Sequence, residues 1–356
     1  MIRQKTDFKE GNMENSDHNV PDISGLDLNS HPSVIAYRRA PKKIKPENVS
    51  REWVKKIVRE AGADDAGVVE IDRLEIKEQK QSILTAFPRA KTLISFVCRM
   101  NAAQVQSPDR TLADGEFIAL DAEMLLISRK VVKVLREKGI AAITPSEGFP
   151  QDMNKWPGKM FTVSHKPVAA AAGLGHIGHH RLLIHPVFGS HICLGTLIMD
   201  TALDSYDQPL DYNPCIACKL CVSVCPTGAI GKDGAFEFFS CLVHAYRDRL
   251  GGFLSWTEAL VTSKDMEEYR QKRNDSETMA VWQSLTYGGG YRCGYCMSVC
   301  PAGSDIIGSY IDRRKEYIQA IVKPLQERKE SVYVFPGPES EASVNNRFPN
   351  KTARPV

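Results

Sequence analysis

Ten cysteines occur in the 356-residue chain, and eight of them fall between Cys215 and Cys300. The first group reads Cys215-Ile-Ala-Cys218-Lys-Leu-Cys221-Val-Ser-Val-Cys225-Pro226. This is the C-x2-C-x2-C-x3-C-P spacing that holds iron–sulfur clusters. Three closely spaced thiolates can each take a different corner of one cubane. The fourth is turned away by the proline that follows it and serves a neighbouring cluster. The second group, Cys293-Gly-Tyr-Cys296-Met-Ser-Val-Cys300-Pro301, lacks one cysteine, which Cys241 can supply from upstream. The spacing therefore pairs Cys215, Cys218, Cys221 and Cys300 around one [4Fe-4S] cluster, and Cys225, Cys241, Cys293 and Cys296 around a second.

Zinc is the alternative, since an isolated C-x2-C pair is often a zinc half-site. Two Cys-Pro endings and a four-cysteine run do not divide into tetrahedral zinc sites. Cys98 and Cys193 lie in apolar strand contexts and are expected to be buried structural thiols.

The other chemistry-bearing stretch is 164–199. Gly173, Gly175 and Gly178 form G-x-G-x-x-G, a dinucleotide fingerprint when it follows a strand. Here an alanine run precedes it, and the next acidic residue is Asp200, 22 positions beyond Gly178. A nicotinamide site is therefore disfavoured.

The order Ala172-Gly173-Leu174-Gly175-x-x-Gly178, then Gly189-Ser190-x-x-x-Leu194-Gly195, then the cysteines, resembles the corrinoid-dependent iron–sulfur reductase superfamily. That superfamily contains the epoxyqueuosine reductases and the reductive dehalogenases. The resemblance covers about residues 50–305. It implies an α+β chain in which a flavin-reductase-like (nitroreductase-like) α/β domain cradles cobalamin and a ferredoxin-like module feeds it electrons. Gly173, Leu174, Gly175, Gly178, Gly189, Ser190 and Gly195 would then contact the cofactor, glycines letting backbone approach the flat corrin. There is no Asp-x-His-x-x-Gly signature, so a protein histidine as lower cobalt ligand is not indicated. Epoxyqueuosine reductases resemble one another in carrying a proton-donating Asp ahead of Gly-Leu-Gly. The matching position here is Lys159, and residues 153–172 contain no acid. Segment 164–175 is closer to the dehalogenase side.

A proton donor is needed above such a cofactor, and His165, Lys166, Lys159 and Tyr37 are the candidates. His176 and His180 are four residues apart and could share a helical face for a separate metal. The activity implied is a cytoplasmic oxidoreductase. It would take electrons from a ferredoxin or flavodoxin and reduce a small-molecule substrate. An electron-transfer protein without corrinoid, or a corrinoid reductase or dealkylase, are the alternatives.

The elements that must position these residues follow from periodicity. Trp53, Val54, Ile57 and Val58 give a helix over about 51–61, capped by Ser50. Strands are expected at 66–71, 92–100, 140–143 and 193–199, and a long helix at 115–138 ending at Gly139. The domain reading is a flexible leader over 1–46, a corrinoid and substrate domain over 47–205, a two-cluster module over 206–310 with a helical insertion at 245–290, and a C-terminal helix and extended tail over 311–356. Net charge is +3, from 46 basic and 43 acidic residues, so nucleic-acid binding is not expected. No apolar run is long enough to cross a membrane.

Overall fold

The computed structural model describes residues 25–146, 148, 150–155, 160–249, 251–288 and 291–356. The flexible-leader expectation for 1–24 and the Lys159 assignment lie outside the described residues. The chain divides into a unit ending at Ile44 and a unit over Lys45–Val356. In the first unit, helix α1 (Pro32–Arg39) begins with Pro32, and the His31 imidazole caps it by accepting from Ser33 N–H at 3.2 Å. The sequence reading had no helix here, because it took the flanking basic and proline residues as helix breakers throughout.

In the second unit, α2 (Arg51–Ala61) is capped by Ser50 and ends at Gly62, whose φ of 126° suits glycine. A four-stranded antiparallel sheet follows, from β1 (Asp65–Glu70), β2 (Thr92–Arg99), β3 (Ala142–Ile143) and β4 (Ile192–Met199), in the order β1-β2-β4-β3. Residues 93–98 of β2 are buried throughout, as expected of a strand covered on both faces. Helix α3 (Arg110–Glu137) lays Leu120, Met124, Ile127, Val131 and Leu135 on one face of the sheet. Helix α4 (His165–Ala171) buries Val168 and Ala171 against the other. Gly195 sits opposite Phe96 in the β2–β4 register. A Cβ at Gly195 would lie 2.1 Å from the Phe96 ring, so the glycine leaves room for the phenyl group.

The cysteine region is built from short helices: α5 (Leu220–Val224), α6 (Phe238–Ala245) and, beyond the insertion, α10 (Tyr295–Ser298). The insertion forms α7 (Gly251–Thr262), α8 (Met266–Lys272) and α9 (Asp275–Tyr287). A capping box at Asn274 and Glu277 starts α9. The expected extended tail is instead ordered: β5 (Glu330–Val334) pairs in parallel with β6 (Lys351–Pro355) through helix α11 (Pro338–Arg347). Alternation in so short a pair is too weak to read against the prolines around it. Among the described residues no helix is long and apolar enough to cross a membrane.

Candidate functional site

The first cysteine motif is wound tightly. Ala217 and Lys219, each just before a cysteine or a helix turn, take φ of 52° and 60°. In the second motif Gly294 takes 56°. Left-handed non-glycine residues cost about 1–3 kcal/mol and concentrate at functional sites. Here they curl the loops around concave spaces.

Two such spaces result. Cys215, Cys218, Cys221 and Cys300 line a narrow hollow with His179 and His180. Cys225, Cys241, Cys293 and Cys296 line a cavity of about 300 Å³. The division is the crossed pairing read from the spacing. Burial, and then the neighbouring thiolates of Cys300, Cys218 and Cys215, push the Cys221 thiol up to about 12. Burial likewise pushes Cys293 up to about 12, Cys241 to about 11 and Cys300 to about 11. Four thiols that repel one another's ionised forms in a buried space need a compensating cation, and a coordinating metal deprotonates a thiol outright. No three acidic, histidine or cysteine side chains among the described residues converge on a single ion point. Thiols that surround a space, rather than a point, fit a polynuclear cluster better than one tetrahedral zinc.

The loops of these sites are braced by buried charges from before and after them in the chain, and the sequence reading missed them. Arg110 is 1% exposed. Its guanidinium donates to Val105 O, Ser298 Oγ and Cys293 O at 2.9, 3.1 and 3.2 Å. Asp114 accepts from Arg292 N–H at 3.0 Å and is pushed up to about 6, chiefly by burial. Thus α3 holds the second motif. From downstream of it, Glu330 accepts from Tyr295 Oη at 2.6 Å, Tyr291 Oη at 3.1 Å and Lys351 Nζ at 2.8 Å.

Beside the second cysteine cavity lies a third, of about 350 Å³, walled by Val163, Leu183, Ile192, Leu194, Phe238, Leu242 and Met297. It shares Ser146, Gly148 and Tyr246 with an adjoining cleft of about 840 Å³. His165 and Lys166 both line it. His165 Nδ1 lies 2.9 Å from Thr196 Oγ1 and Nε2 lies 3.1 Å from Ser146 O. A carbonyl can only accept, so Nε2 carries the proton and Nδ1 accepts from the threonine hydroxyl. Burial lowers the imidazole pKa, and both nitrogens are occupied, so His165 is a neutral wall residue and not a free acid. Lys166 differs. Among the described residues no acceptor lies within hydrogen-bonding distance of its ammonium. Burial lowers its pKa, while the Cys241 and Cys296 thiolates act to raise it.

Of the residues expected to touch a corrin, only Ser190 lines this cavity. In this structure the glycines make room for protein. A Cβ at Gly173 (φ 74°) would lie 2.5 Å from Gln208 O, at Gly175 2.4 Å from Ile184 O, and at Gly178 2.4 Å from Ile184 Cδ1. At Gly189 (φ 65°) it would lie 1.9 Å from Ala302 O, just beyond the Cys300-Pro301 ending. Leu174 is core, packed with Val97, Leu183 and Ile192. Tyr37 is 65% exposed on α1 with the Lys42 ammonium over its ring. His176 and His180 share no helix: His176 is in a two-residue strand and His180 is in the turn after it.

Residues 214–303 match the family model of a 4Fe-4S double cluster binding domain. The epoxyqueuosine reductase of Lactococcus garvieae (strain Lg2) is 34% identical over 139 residues, 39% of this chain and 32% of that protein. Both matches agree with the resemblance to the iron–sulfur reductases that the motifs carry. The matched stretch spans only about a third of that curated relative. An epoxyqueuosine reductase solved with an epoxyqueuosine-modified tRNA-Tyr stem loop aligns with a TM-score of 0.38 and 17% identity, over 55% of this chain and 56% of that one. A catabolic reductive dehalogenase solved with 3-bromo-4-hydroxybenzoic acid aligns with a TM-score of 0.44 and 16% identity, over 77% and 34%. The expectation against a nucleic-acid partner had a narrow basis. It rested on the overall charge of +3, and overall charge says nothing about recognition of one nucleoside in a cavity.

Proposed function

We propose that the protein is an iron–sulfur oxidoreductase that carries electrons through two [4Fe-4S] clusters to a cobalamin, which reduces an organic substrate. The observation that carries this reading is the chain of three cavities with shared walls. His180 belongs to the walls of both cysteine-lined spaces. Lys166, Leu182 and Met297 belong to the walls of both the second cysteine space and the third cavity. Electrons handed between adjoining centres need such contiguity. In this reading the sheet with its helices is the nitroreductase-like cofactor domain and the cysteine helices are the ferredoxin-like module.

The residues present fit a large, flat cofactor. The third cavity has apolar walls on several elements, and the adjoining cleft of about 840 Å³ gives the room that 350 Å³ alone would not. A bound cobalamin would supply a strongly reducing metal centre. The protein's part is then positional. Val163, Leu194, Phe238 and Leu242 exclude water, and the neutral His165 fixes the wall between Ser146 and β4. The Lys166 ammonium, without an acceptor among the described residues and with its pKa lowered by burial, holds the proton that reduction consumes. Reductive dehalogenation balances as two electrons and one proton converting a carbon–halogen bond to carbon–hydrogen with release of halide. The electrons arrive singly from a reduced ferredoxin or flavodoxin. Reduction of an epoxide-bearing nucleoside in tRNA is the second reading, favoured by the sequence match to an epoxyqueuosine reductase. The lack of an acid over 153–172 leaves Lys166 to supply the proton in either case.

The test is anaerobic purification after expression with cobalamin, with iron, sulfide and cobalt quantified. About eight irons and one cobalt per chain are expected from two four-iron clusters and one corrinoid. Halogenated aromatics and epoxyqueuosine-modified tRNA are then assayed side by side. About eight irons with no cobalt after reconstitution would refute the corrinoid reading and leave an electron carrier.

A further inference from the structure

His180 is 4% exposed. Its Nδ1 accepts from the backbone N–H of Leu182 at 3.1 Å. An imidazole nitrogen that accepts carries no proton, so the neutral ring must carry its proton on Nε2. That Nε2 is buried and has no hydrogen-bond partner among the described residues. Buried N–H groups without partners are rare and costly, about 1–3 kcal/mol each. Of all the residues lining the two cysteine spaces, His180 alone lines both. The ring is therefore fixed in one tautomer by the backbone, and its unpartnered donor belongs to the residue that walls both cysteine spaces.

We infer that the His180 Nε2–H donates a hydrogen bond to a cluster sulfur in the wall common to the two cysteine sites, and so sets the potential of the cluster that accepts it. The inference rests on the two-cluster reading but not on cobalamin or on the substrate. Its physical basis is that hydrogen bonds to cluster sulfurs are among the determinants of cluster potential. A donor stabilises the more negative reduced state, so it raises the potential. The role is one of positioning and tuning: no thiolate is replaced and no proton is transferred. His179, next in sequence, does not share it. Its Nε2 lies 2.8 Å from Gly231 O, and Lys219 Nζ lies 3.1 Å from its Nδ1, so its ring is already committed.

The test compares His180→Phe, which keeps a flat ring without an N–H, with His180→Gln, which keeps a donor. Iron and sulfide are counted first in the wild-type chain. If two four-iron clusters are absent there, the two-cluster reading fails, and the inference with it. If they are present, each cluster is titrated anaerobically and followed by electron paramagnetic resonance. Loss of the donor is expected to lower one potential by about tenfold in the one-electron equilibrium, which is 59 mV. The glutamine variant should stay nearer the wild type. Equal potentials in the wild type and both variants would overturn the inference while leaving the two-cluster reading intact. If the phenylalanine variant does not assemble, the wild type still decides. Histidine labelled with nitrogen-15 should give a nitrogen coupling to a reduced cluster, with an exchangeable proton, and that coupling should vanish in His180→Gln. No such coupling would equally overturn it.

Discussion

Gly189→Ala tests whether the Gly-Ser stretch serves protein packing rather than a cofactor. Gly189 has φ 65°, a region that costs an L-residue about 1–2 kcal/mol. The added methyl would lie 1.9 Å from Ala302 O and 3.3 Å from Ile306 Cδ1. The first neighbour is backbone and cannot swing aside, so overpacking adds about 1–3 kcal/mol. Together the substitution should destabilise by about 2–5 kcal/mol. The strain falls on the turn after Cys300, which also receives Gly303 against Gly189 N. Its second effect should thus be loss of the cluster that Cys300 serves. Gly115→Ala is the control: Gly115 lies inside α3 with nothing within 4 Å of an added Cβ, and should gain about 0.5–1 kcal/mol. Anaerobic thermal unfolding and iron content are measured on both. A Gly189→Ala protein within about 0.5 kcal/mol of wild type, with full iron, would refute the packing argument and restore the cofactor-approach role for this glycine.

Three further outcomes are expected. Cys241→Ser should remove one cluster, halving iron from about eight to about four, whereas Cys98→Ala should leave iron unchanged; equal loss from both would reject the assignment. Lys166→Met should keep both clusters and lower turnover at least about 100-fold, the lower range for a lost general acid; unchanged turnover would move the proton source elsewhere. The Glu330 carboxyl is pushed up by burial, but His244, Lys351 and Tyr295 outweigh this and hold it below its ordinary value of 4.5. A lowered folded value means that the ionised carboxylate stabilises the fold above pH 4.5, and that this contribution is lost as pH falls from there through the folded value. Urea unfolding against pH should lose that acid-side slope in Glu330→Gln, and a slope equal to wild type would contradict it.

The parts of the site that were legible in the sequence were those with local grammar. Cysteine spacing carries its own geometry, and the crossed pairing appears in the two cavities. The helix at Ser50 and the strand at Thr92 announce themselves by capping and by a β-rich apolar run. The glycines were seen but their role was not legible, because a glycine required by a neighbour and one required by a ligand leave the same mark in one sequence. Only the Ala302 carbonyl, more than a hundred positions away, tells them apart at Gly189. Arg110 and Glu330 were not legible at all. A buried charge looks like a surface charge until its partners, here Ser298 and Lys351, are brought up by the fold.

Those two buried charges explain why the cysteine module cannot be regarded as a ferredoxin simply appended to a sheet. Arg110 reaches from α3 to Cys293 O, and Glu330 reaches from β5 to Tyr295. Both clamp the second cysteine motif, one from upstream of it in the chain and one from downstream. Lys351 is fully buried against Glu330 at 2.8 Å, and removing one member of such a pair costs about 3–5 kcal/mol because the other is left uncompensated. Lys351→Met should therefore release Glu330, loosen Tyr291 and Tyr295 with it, and weaken the site of Cys293 and Cys296 while sparing that of Cys218 and Cys221. Iron counting with resonance spectra separates the outcomes. Selective loss of one cluster signal supports a C-terminal clamp on the second site. Loss of both together would mean that the pair serves the whole fold, and retention of both would mean that β5 and β6 close the surface without holding the redox centre.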